Sequence, residues 1–168
     1  MSLLKQKTEY IKRGAYDELY TPREAVEIIL PFIPKGIKII WECTTKNDSN
    51  ISKILKEKGY TVINSNLDFL SYAPNHFDMI ITNPPYSLKT QFLKRAFQLG
   101  KPFLFLLPLT TLEGKERNKL FREHQIQIII PNKRFNFKPE KKSSAWFQTS
   151  WFGWKLNLDN DIIFIEVD

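Results

Sequence analysis

Several kinds of protein are excluded by what this sequence lacks. Its one cysteine, Cys43, excludes an intrachain disulfide and any zinc cluster built on several cysteines. No cluster of potential metal ligands occurs, so no bound metal is expected. No apolar run reaches the ~20 residues that span a bilayer. The first twelve residues are polar and charged, without the apolar core of a signal peptide, and we therefore expect a cytoplasmic protein that does not enter membranes.

What remains is a chain with enough apolar residues for one core. Of its 168 residues, 42% are hydrophobic and 14% are aromatic, which excludes a disordered protein. Its length suits one domain, and neither repeats nor a linker divide it. We expect an N-terminal extension over residues 1–19 and a single domain over residues 20–168.

Strands and helices are predicted to alternate along this domain. Short apolar runs predict buried strands at 37–41, 61–63, 78–82, 103–107 and 126–130. Helices are predicted to begin at a capping box over Thr21–Glu24, near Ile51, at Ser87 as N-cap, and near Glu113. Strands that are apolar throughout are typical of parallel sheets covered by helices on both faces. The pattern predicts a doubly wound, Rossmann-like α/β domain, in which 145–154 and 161–167 form a hairpin at the sheet edge.

One turn lies where such a domain binds ligands. Asn83, Pro84, Pro85 and Tyr86 stand between the strand at 78–82 and the helix at Ser87. In open α/β sheets, ligands bind beyond the carboxyl ends of the strands. The two prolines fix two successive φ angles and keep Asn83 out of a helical conformation. The context favours a functional site over a turn that merely ends a strand.

The stiff turn presents two hydrogen-bond acceptors, the Asn83 side chain and the Pro84 carbonyl, which suit an amino group with two N–H donors. The exocyclic nitrogen of adenine is such a group, and its lone pair is delocalised into the ring. Two acceptors that hold both hydrogens favour a more tetrahedral nitrogen, which can attack a methyl group on a sulfonium. Tyr86 supplies a flat face for a base that has been flipped out of its helix. Catalysis would come from positioning and preorganised dipoles.

Positive charge is concentrated in one segment. Residues 115–142 hold nine Lys/Arg and three Glu, so +6 of the net charge of +7 lies there. Aromatic residues alternate with this charge at Phe135 and Phe137, which favours a nucleic-acid surface over a solvated loop. The predicted nucleic-acid contacts are Lys133, Arg134, Lys138, Lys141 and Lys142. Trp146, Trp151 and Trp154 could form a platform on which bases stack, but the strand alternation there favours packing in the core.

The turn resembles the signature of amino-methyltransferases, which methylate adenine N6 and a few other planar amino groups. The segments Leu112–Lys115 and Ala145–Trp154 resemble small phage and prophage DNA methyltransferases of this family. The resemblance covers roughly residues 20–155 and implies a class I methyltransferase fold with an antiparallel C-terminal strand. It also implies S-adenosylmethionine (SAM) as cofactor, with Asn83, Pro84, Pro85 and Tyr86 as catalytic residues.

The resemblance also implies which residues contact SAM. Glu42 would hold the methionine ammonium, and Asp68 and Phe69 the adenine end. The full set of implied cofactor contacts is Tyr20, Thr21, Pro22, Glu42, Cys43, Asn66, Asp68 and Phe69. Cys43 is not expected to act as a nucleophile, because neither histidine lies near it in sequence.

Two functions remain open at this point. The first is a SAM-dependent methyltransferase that acts on adenine in DNA by direct transfer to a flipped base, with RNA adenine or protein glutamine as less favoured substrates. The second is a degenerate methyltransferase-like module that binds nucleic acid but binds SAM weakly or not at all. The second is favoured by the segment after Glu42, where the family has a glycine-rich turn and this chain has no glycine until Gly59.

Overall fold

A seven-stranded sheet organises the chain. The computed structural model describes residues 21–45, 48–65, 67–137 and 147–168. Within these ranges the strands are β1 (Ile39–Glu42), β2 (Thr61–Asn64), β3 (Met79–Thr82), β4 (Phe103–Pro108), β5 (Gln127–Pro131), β6 (Thr149–Trp154) and β7 (Ile162–Ile165). The α-helices there are α1 (Arg23–Glu27), α2 (Asn50–Glu57), α3 (Lys89–Leu99) and α4 (Lys115–His124). None of these helices is long and apolar enough to cross a bilayer.

The sheet is mostly parallel, as the sequence predicts. Its strand order is β2-β1-β3-β4-β6-β5-β7. β1 pairs in parallel with both β2 and β3, and β3 pairs in parallel with β4. β6 runs antiparallel to its neighbours β4 and β5. The predicted α/β class, with a mostly parallel sheet and an antiparallel part, is therefore confirmed, and the antiparallel strand is β6 rather than the last strand, β7.

The predicted hairpin at the sheet edge is wrong. β6 lies inside the sheet between β4 and β5, while β7 pairs in parallel with β5 at the edge. The burial of the two strands explains this placement. The first five residues of β6 are buried, so this strand needs a neighbour on each side and cover on both faces. β7 alternates and leaves Ile162 and Phe164 54% and 77% exposed, a pattern that suits an edge strand.

Helices cover both faces of the sheet. On one face, α1 and α2 pack over Ile40, Leu106 and Trp151. Trp151 is fully buried, as expected, and its Nε1 donates to the Ala25 carbonyl of α1 at 2.7 Å. On the other face, α3 and α4 cover a second apolar cluster that includes Phe105. Loops at the carboxyl ends of the parallel strands are thereby held between two packed layers.

Two predicted helix starts are wrong, and in the first the expected capping groups have other partners. α1 begins at Arg23 without a side-chain cap. The Thr21 hydroxyl accepts a hydrogen bond from Asn83, and the Glu24 carboxylate pairs with Lys133. Ser87 is not an N-cap either, because it lies in a 3₁₀ turn (Tyr86–Leu88) that precedes α3.

Candidate active site

Four strands meet the carboxyl edge of the sheet, and polar residues lie at the ends of three of them. β1 ends in Glu42, Asn83 follows β3 directly, and β4 ends in Pro108. β6 is antiparallel and therefore begins at this same edge, where Thr149 lies opposite Pro108. Glu42, Asn83 and Thr149 are all fully buried. This edge is where the predicted site of an open α/β sheet lies.

A hydrogen bond between distant segments orients the Asn83 amide. Asn83 Nδ2 donates to Thr21 Oγ1 at 3.4 Å, and Thr21 is itself fully buried. The bond joins the segment before α1 to the turn after β3, two segments that the sequence resemblance assigned to one site. With Nδ2 directed to Thr21, Oδ1 is the atom with which the amide can accept a hydrogen bond from a ligand. Pro84 and Pro85 are buried behind it, and Pro85 is extended at φ −62° and ψ 123°.

Tyr86 forms an aromatic pair at the surface of the site. The Tyr86 ring meets the Phe147 ring edge-on, with ring centroids 5.9 Å apart and planes at 74°. Phe147 is 40% exposed, and Tyr86 is half-buried. No role was predicted for Phe147 from the sequence, although its place just before β6, within the segment Ala145–Trp154 that resembles the family, was a usable signal. Two partly exposed rings at right angles form a corner against which a planar base can pack.

The Glu42 carboxylate is the centre of a hydrogen-bond network, which we call the Glu42 network. Oε1 accepts from Thr44 N and Oγ1, both at 3.0 Å, and from Thr82 Oγ1 at 2.7 Å. Oε2 accepts from the Thr45 hydroxyl, from Ser49 Oγ at 3.1 Å and from Asn64 Nδ2 at 3.4 Å. The sequence identified Glu42 but missed its five partner residues. The signal for three of them, Thr44, Thr45 and Ser49, was the run of hydroxyl and amide residues that stands in place of glycines after β1.

These contacts bear on the predicted role of Glu42. A carboxylate offers about four lone-pair positions, and Glu42 already accepts six hydrogen bonds from its own chain. A ligand ammonium can therefore reach it only by displacing one or more of these donors. In this arrangement Glu42 holds the segment after β1 against β2 and β3. Its predicted contact with the methionine ammonium stays a prediction.

Of the other residues predicted to contact SAM, Asp68 lies in a loop, and Phe69 and Cys43 lie in the core. Asp68 is half-buried, and its Oδ1 accepts from Leu70 N at 3.0 Å, which stabilises the turn after β2. The Phe69 ring is fully buried and stacks on Phe92 at 4.5 Å, so only its backbone can reach a ligand. Cys43 is 2% exposed and packs in the same apolar cluster. Tyr20 and Asn66 lie outside the described residues.

Buried hydroxyls lie at the β4–β6 side of this edge. The hydroxyls of Thr111, Thr149 and Ser150 are buried and have no hydrogen-bond partner within the part of the chain that the structure describes. Thr149 and Ser150 open β6, and Thr111 lies in the 3₁₀ helix after β4. An unsatisfied buried hydroxyl costs about 1–3 kcal/mol. A polar ligand at this edge would offset that cost.

The predicted nucleic-acid segment needs a correction. Lys133 is not an open cation, because it pairs with Glu24 at 2.6 Å and donates to the Asp168 carbonyl at 3.0 Å. Phe135 is fully buried and Phe137 packs against the core, so neither ring stands ready to stack on a displaced base. Arg134 is exposed. Lys138, Lys141 and Lys142 lie outside the described residues.

Comparison with solved structures identifies the fold as that of Rossmann-like methyltransferases. The methyltransferase subunit of a type I restriction-modification system from Streptococcus thermophilus superposes with a TM-score of 0.53 at 18% identity, over 94% of this chain and 50% of its own. A modification subunit assigned to a type I restriction enzyme from Vibrio vulnificus gives 0.52 at 12% identity, over 97% and 50%. The chain thus spans about half the length of these subunits. No protein-family model and no curated protein matches it.

Proposed function

We propose that this protein is a SAM-dependent methyltransferase that methylates the exocyclic amino group of an adenine flipped out of DNA. One observation carries the proposal. The turn from Asn83 to Tyr86 lies at the carboxyl edge of a methyltransferase-type sheet, with the Asn83 amide oriented by Thr21. The two solved structures described above are named as a methyltransferase subunit and a modification subunit of type I restriction systems, which supports DNA as the substrate class.

The turn suits an amino group attached to a planar ring. Asn83 Oδ1 and the Pro84 carbonyl would accept the two N–H groups of the amine, which directs its lone pair away from the ring plane. Tyr86 and Phe147 would hold the base by contact with its face and edge. The buried hydroxyls of Thr111 and Thr149 add donors of the kind that adenine ring nitrogens accept. All of these groups are fixed by the fold before a substrate arrives, which is the basis of catalysis by preorganisation.

The donor and acceptor groups present fit SAM. When bound, SAM would supply an electrophilic methyl group. Its amino-acid end carries an ammonium and a carboxylate, and the Glu42 network offers both a carboxylate and several hydroxyl donors. Asp68 would accept from the adenine amino group, and Thr21 would keep Asn83 aligned. Replacement of one hydroxyl at Glu42 by an ammonium would exchange a neutral donor for a charged one and form an ion pair with the carboxylate.

Methyl transfer to DNA from radiolabelled SAM tests the proposal. We expect Asn83→Ala to abolish transfer while circular dichroism and SAM affinity stay near wild type, because Asn83 contacts the target and not the cofactor. Asn118→Ala is a matched control, since Asn118 is exposed on α4. Asn83→Ala activity equal to that of wild type would disprove the role of the turn. Parallel assays with RNA and with a glutamine-containing protein distinguish the substrate classes.

A second function is favoured by the saturation of Glu42. If the carboxylate holds its six chain donors permanently, the protein is a nucleic-acid-binding module that keeps the base pocket and has lost SAM. Calorimetry with SAM separates the two. Micromolar binding supports the enzyme, and millimolar or absent binding supports the module.

A further inference from the structure

Two cationic side chains lie together next to the Asn83–Tyr86 turn. Lys89, the first residue of α3, donates from Nζ to the Tyr86 carbonyl at 3.2 Å. Arg117 of α4 donates from Nη1 to Thr90 Oγ1 at 2.9 Å, next to Lys89 in sequence. Both side chains are half-buried. This pair was not predicted from the sequence, because its members are 28 positions apart along the chain.

The guanidinium of Arg117 is held in one orientation. Its Nε donates to the Thr111 carbonyl at 2.7 Å, in addition to the bond from Nη1 to Thr90. Gly114 contributes space, since a Cβ at this position would lie 3.0 Å from Arg117 Nη2, and its φ of +98° also favours glycine. These hydrogen bonds use two of the five N–H groups of the guanidinium. The Leu112–Lys115 segment, noted in the sequence without a role, thus positions a cation.

The described part of the chain gives this pair no counter-charge. Among those residues, no acidic side chain forms a salt bridge with Lys89 or Arg117, whereas Lys94 and Glu116, on the same two helices, pair with each other. Burial, and then the charge of Arg117, lowers the pKa of Lys89. The nearby Thr111 hydroxyl is buried and has no hydrogen-bond partner within the described ranges. Two half-buried cations without an acid repel each other, and an anion between them would remove that cost.

We propose that Lys89 and Arg117 bind a phosphate of the nucleic acid, the one adjacent to the flipped nucleotide. This inference rests on the proposed function, because the turn next to the pair is where the target base would lie. A guanidinium fork and an ammonium together match the oxygens of a phosphodiester. The cation pair would anchor the backbone of the flipped nucleotide while Asn83 and Tyr86 hold its base.

Salt-dependent binding of DNA tests the inference. The probe is a fluorescein-labelled thymine oligonucleotide with one central adenine, and the readout is fluorescence anisotropy over a range of salt concentrations. Lys89→Ala should weaken binding roughly tenfold, the loss expected for one charge-assisted hydrogen bond, and should make the log–log salt slope shallower by about 0.7. Lys89→Gln, which can still donate to the Tyr86 carbonyl, should behave alike. Lys53→Ala is the control, because Lys53 is exposed on α2 across the sheet.

A second probe locates the phosphate. It carries a neutral methylphosphonate next to the adenine, and it should weaken binding by wild type but cause no further loss with Lys89→Ala, because both changes remove the same contact. Unchanged affinity and slope in both Lys89 variants would overturn the inference, as would absence of DNA binding by wild type. If the variants lose affinity as expected while wild type transfers no methyl group, the cation pair stands and the enzymatic proposal fails. If wild type transfers the methyl group and the Lys89 variants keep the wild-type slope, the enzymatic proposal stands and the cation pair fails.

Discussion

Replacement of Glu42 by alanine is expected to destabilise the fold. The change removes the acceptor of six hydrogen bonds, all made at a side chain with no exposed surface. Each buried donor that is left without an acceptor costs about 1–3 kcal/mol. Some donors would find each other again, since Thr44 already contacts Thr82 at 2.9 Å and Asn64 contacts Ser52 at 2.8 Å. We therefore expect a loss of roughly 3–4 kcal/mol in the free energy of unfolding, within the range for broken buried networks.

Glu42→Gln should have about half that effect, roughly 2 kcal/mol, because the amide keeps one acceptor oxygen and turns an NH₂ group toward the remaining donors. Urea denaturation followed by circular dichroism measures both variants. Glu57→Ala is the control, because Glu57 is 52% exposed and its ion pair with Arg23 is of the surface kind, worth at most about 1 kcal/mol. If the free energy of unfolding of Glu42→Ala lies within about 1 kcal/mol of the wild-type value or above it, Glu42 does not stabilise the fold, and its network opens readily for a ligand.

The other predictions concern packing, pH and the target turn. Gly153→Ala should destabilise the protein by about 1–3 kcal/mol, because a methyl group there would lie 2.7 Å from the Phe103 carbonyl oxygen. Ser150→Ala on the same strand should be neutral or stabilising in the same urea titration, since it removes a buried hydroxyl without a partner among the described residues. Asp78 accepts from the backbone amides of Ile39 and Lys38 at 2.8 and 2.9 Å, and these bonds lower its pKa. Its stabilising contribution is therefore complete above the unfolded pKa of about 3.9 and lost as pH falls through the lower folded value. Melting temperatures between neutral pH and about pH 3 should fall less steeply in Asp78→Asn than in wild type, and equal slopes would contradict this. Asn83→Ala should abolish methyl transfer, and Lys89→Ala should make the salt slope of DNA binding shallower, in the assays given above.

Local pattern was sufficient to predict most of the sheet. β1, β3 and β4 are apolar except for Glu42 and Thr82 at the ends of the first two. Apolar runs of this kind are buried in any arrangement of the chain, so their assignment as buried strands followed from composition. The C-terminal strands were predicted, but their neighbours were not. Pairing of β6 with β4 and β5 joins residues far apart in sequence, and no local signal distinguishes it from a hairpin. The burial of β6 on both faces accounts for its position between β4 and β5.

In the candidate site, too, local features were predictable from the sequence and tertiary contacts were not. The Asn83–Tyr86 turn was predictable because its two prolines constrain the backbone whatever surrounds it. The contact of Asn83 with Thr21, the Phe147 ring beside Tyr86 and the Lys89–Arg117 pair all depend on tertiary packing. In the basic segment, the structure contradicts the stacking role of Phe135 and the open charge of Lys133, while nucleic-acid contacts of Arg134, Lys138, Lys141 and Lys142 stay predictions. Charge in a sequence does not show which cations find acids within the fold, and Lys133 finds Glu24.

In the segment after β1, side-chain hydroxyls stand where the family resemblance would place a glycine-rich turn. A glycine-rich turn brings backbone amides close to a ligand because glycine has no side chain and adopts positive φ readily. Here side-chain hydroxyls converge on Glu42 instead, and the carboxylate fixes the segment through bonds to Thr44, Thr45 and Ser49. Hydroxyls both donate and accept, so such a network can exchange one partner for a ligand without a change of backbone conformation. Whether that exchange occurs decides between enzyme and binding module. The stability of Glu42→Ala measures how strongly the closed network holds the fold. The affinity of wild type for SAM measures whether the ligand can open that network.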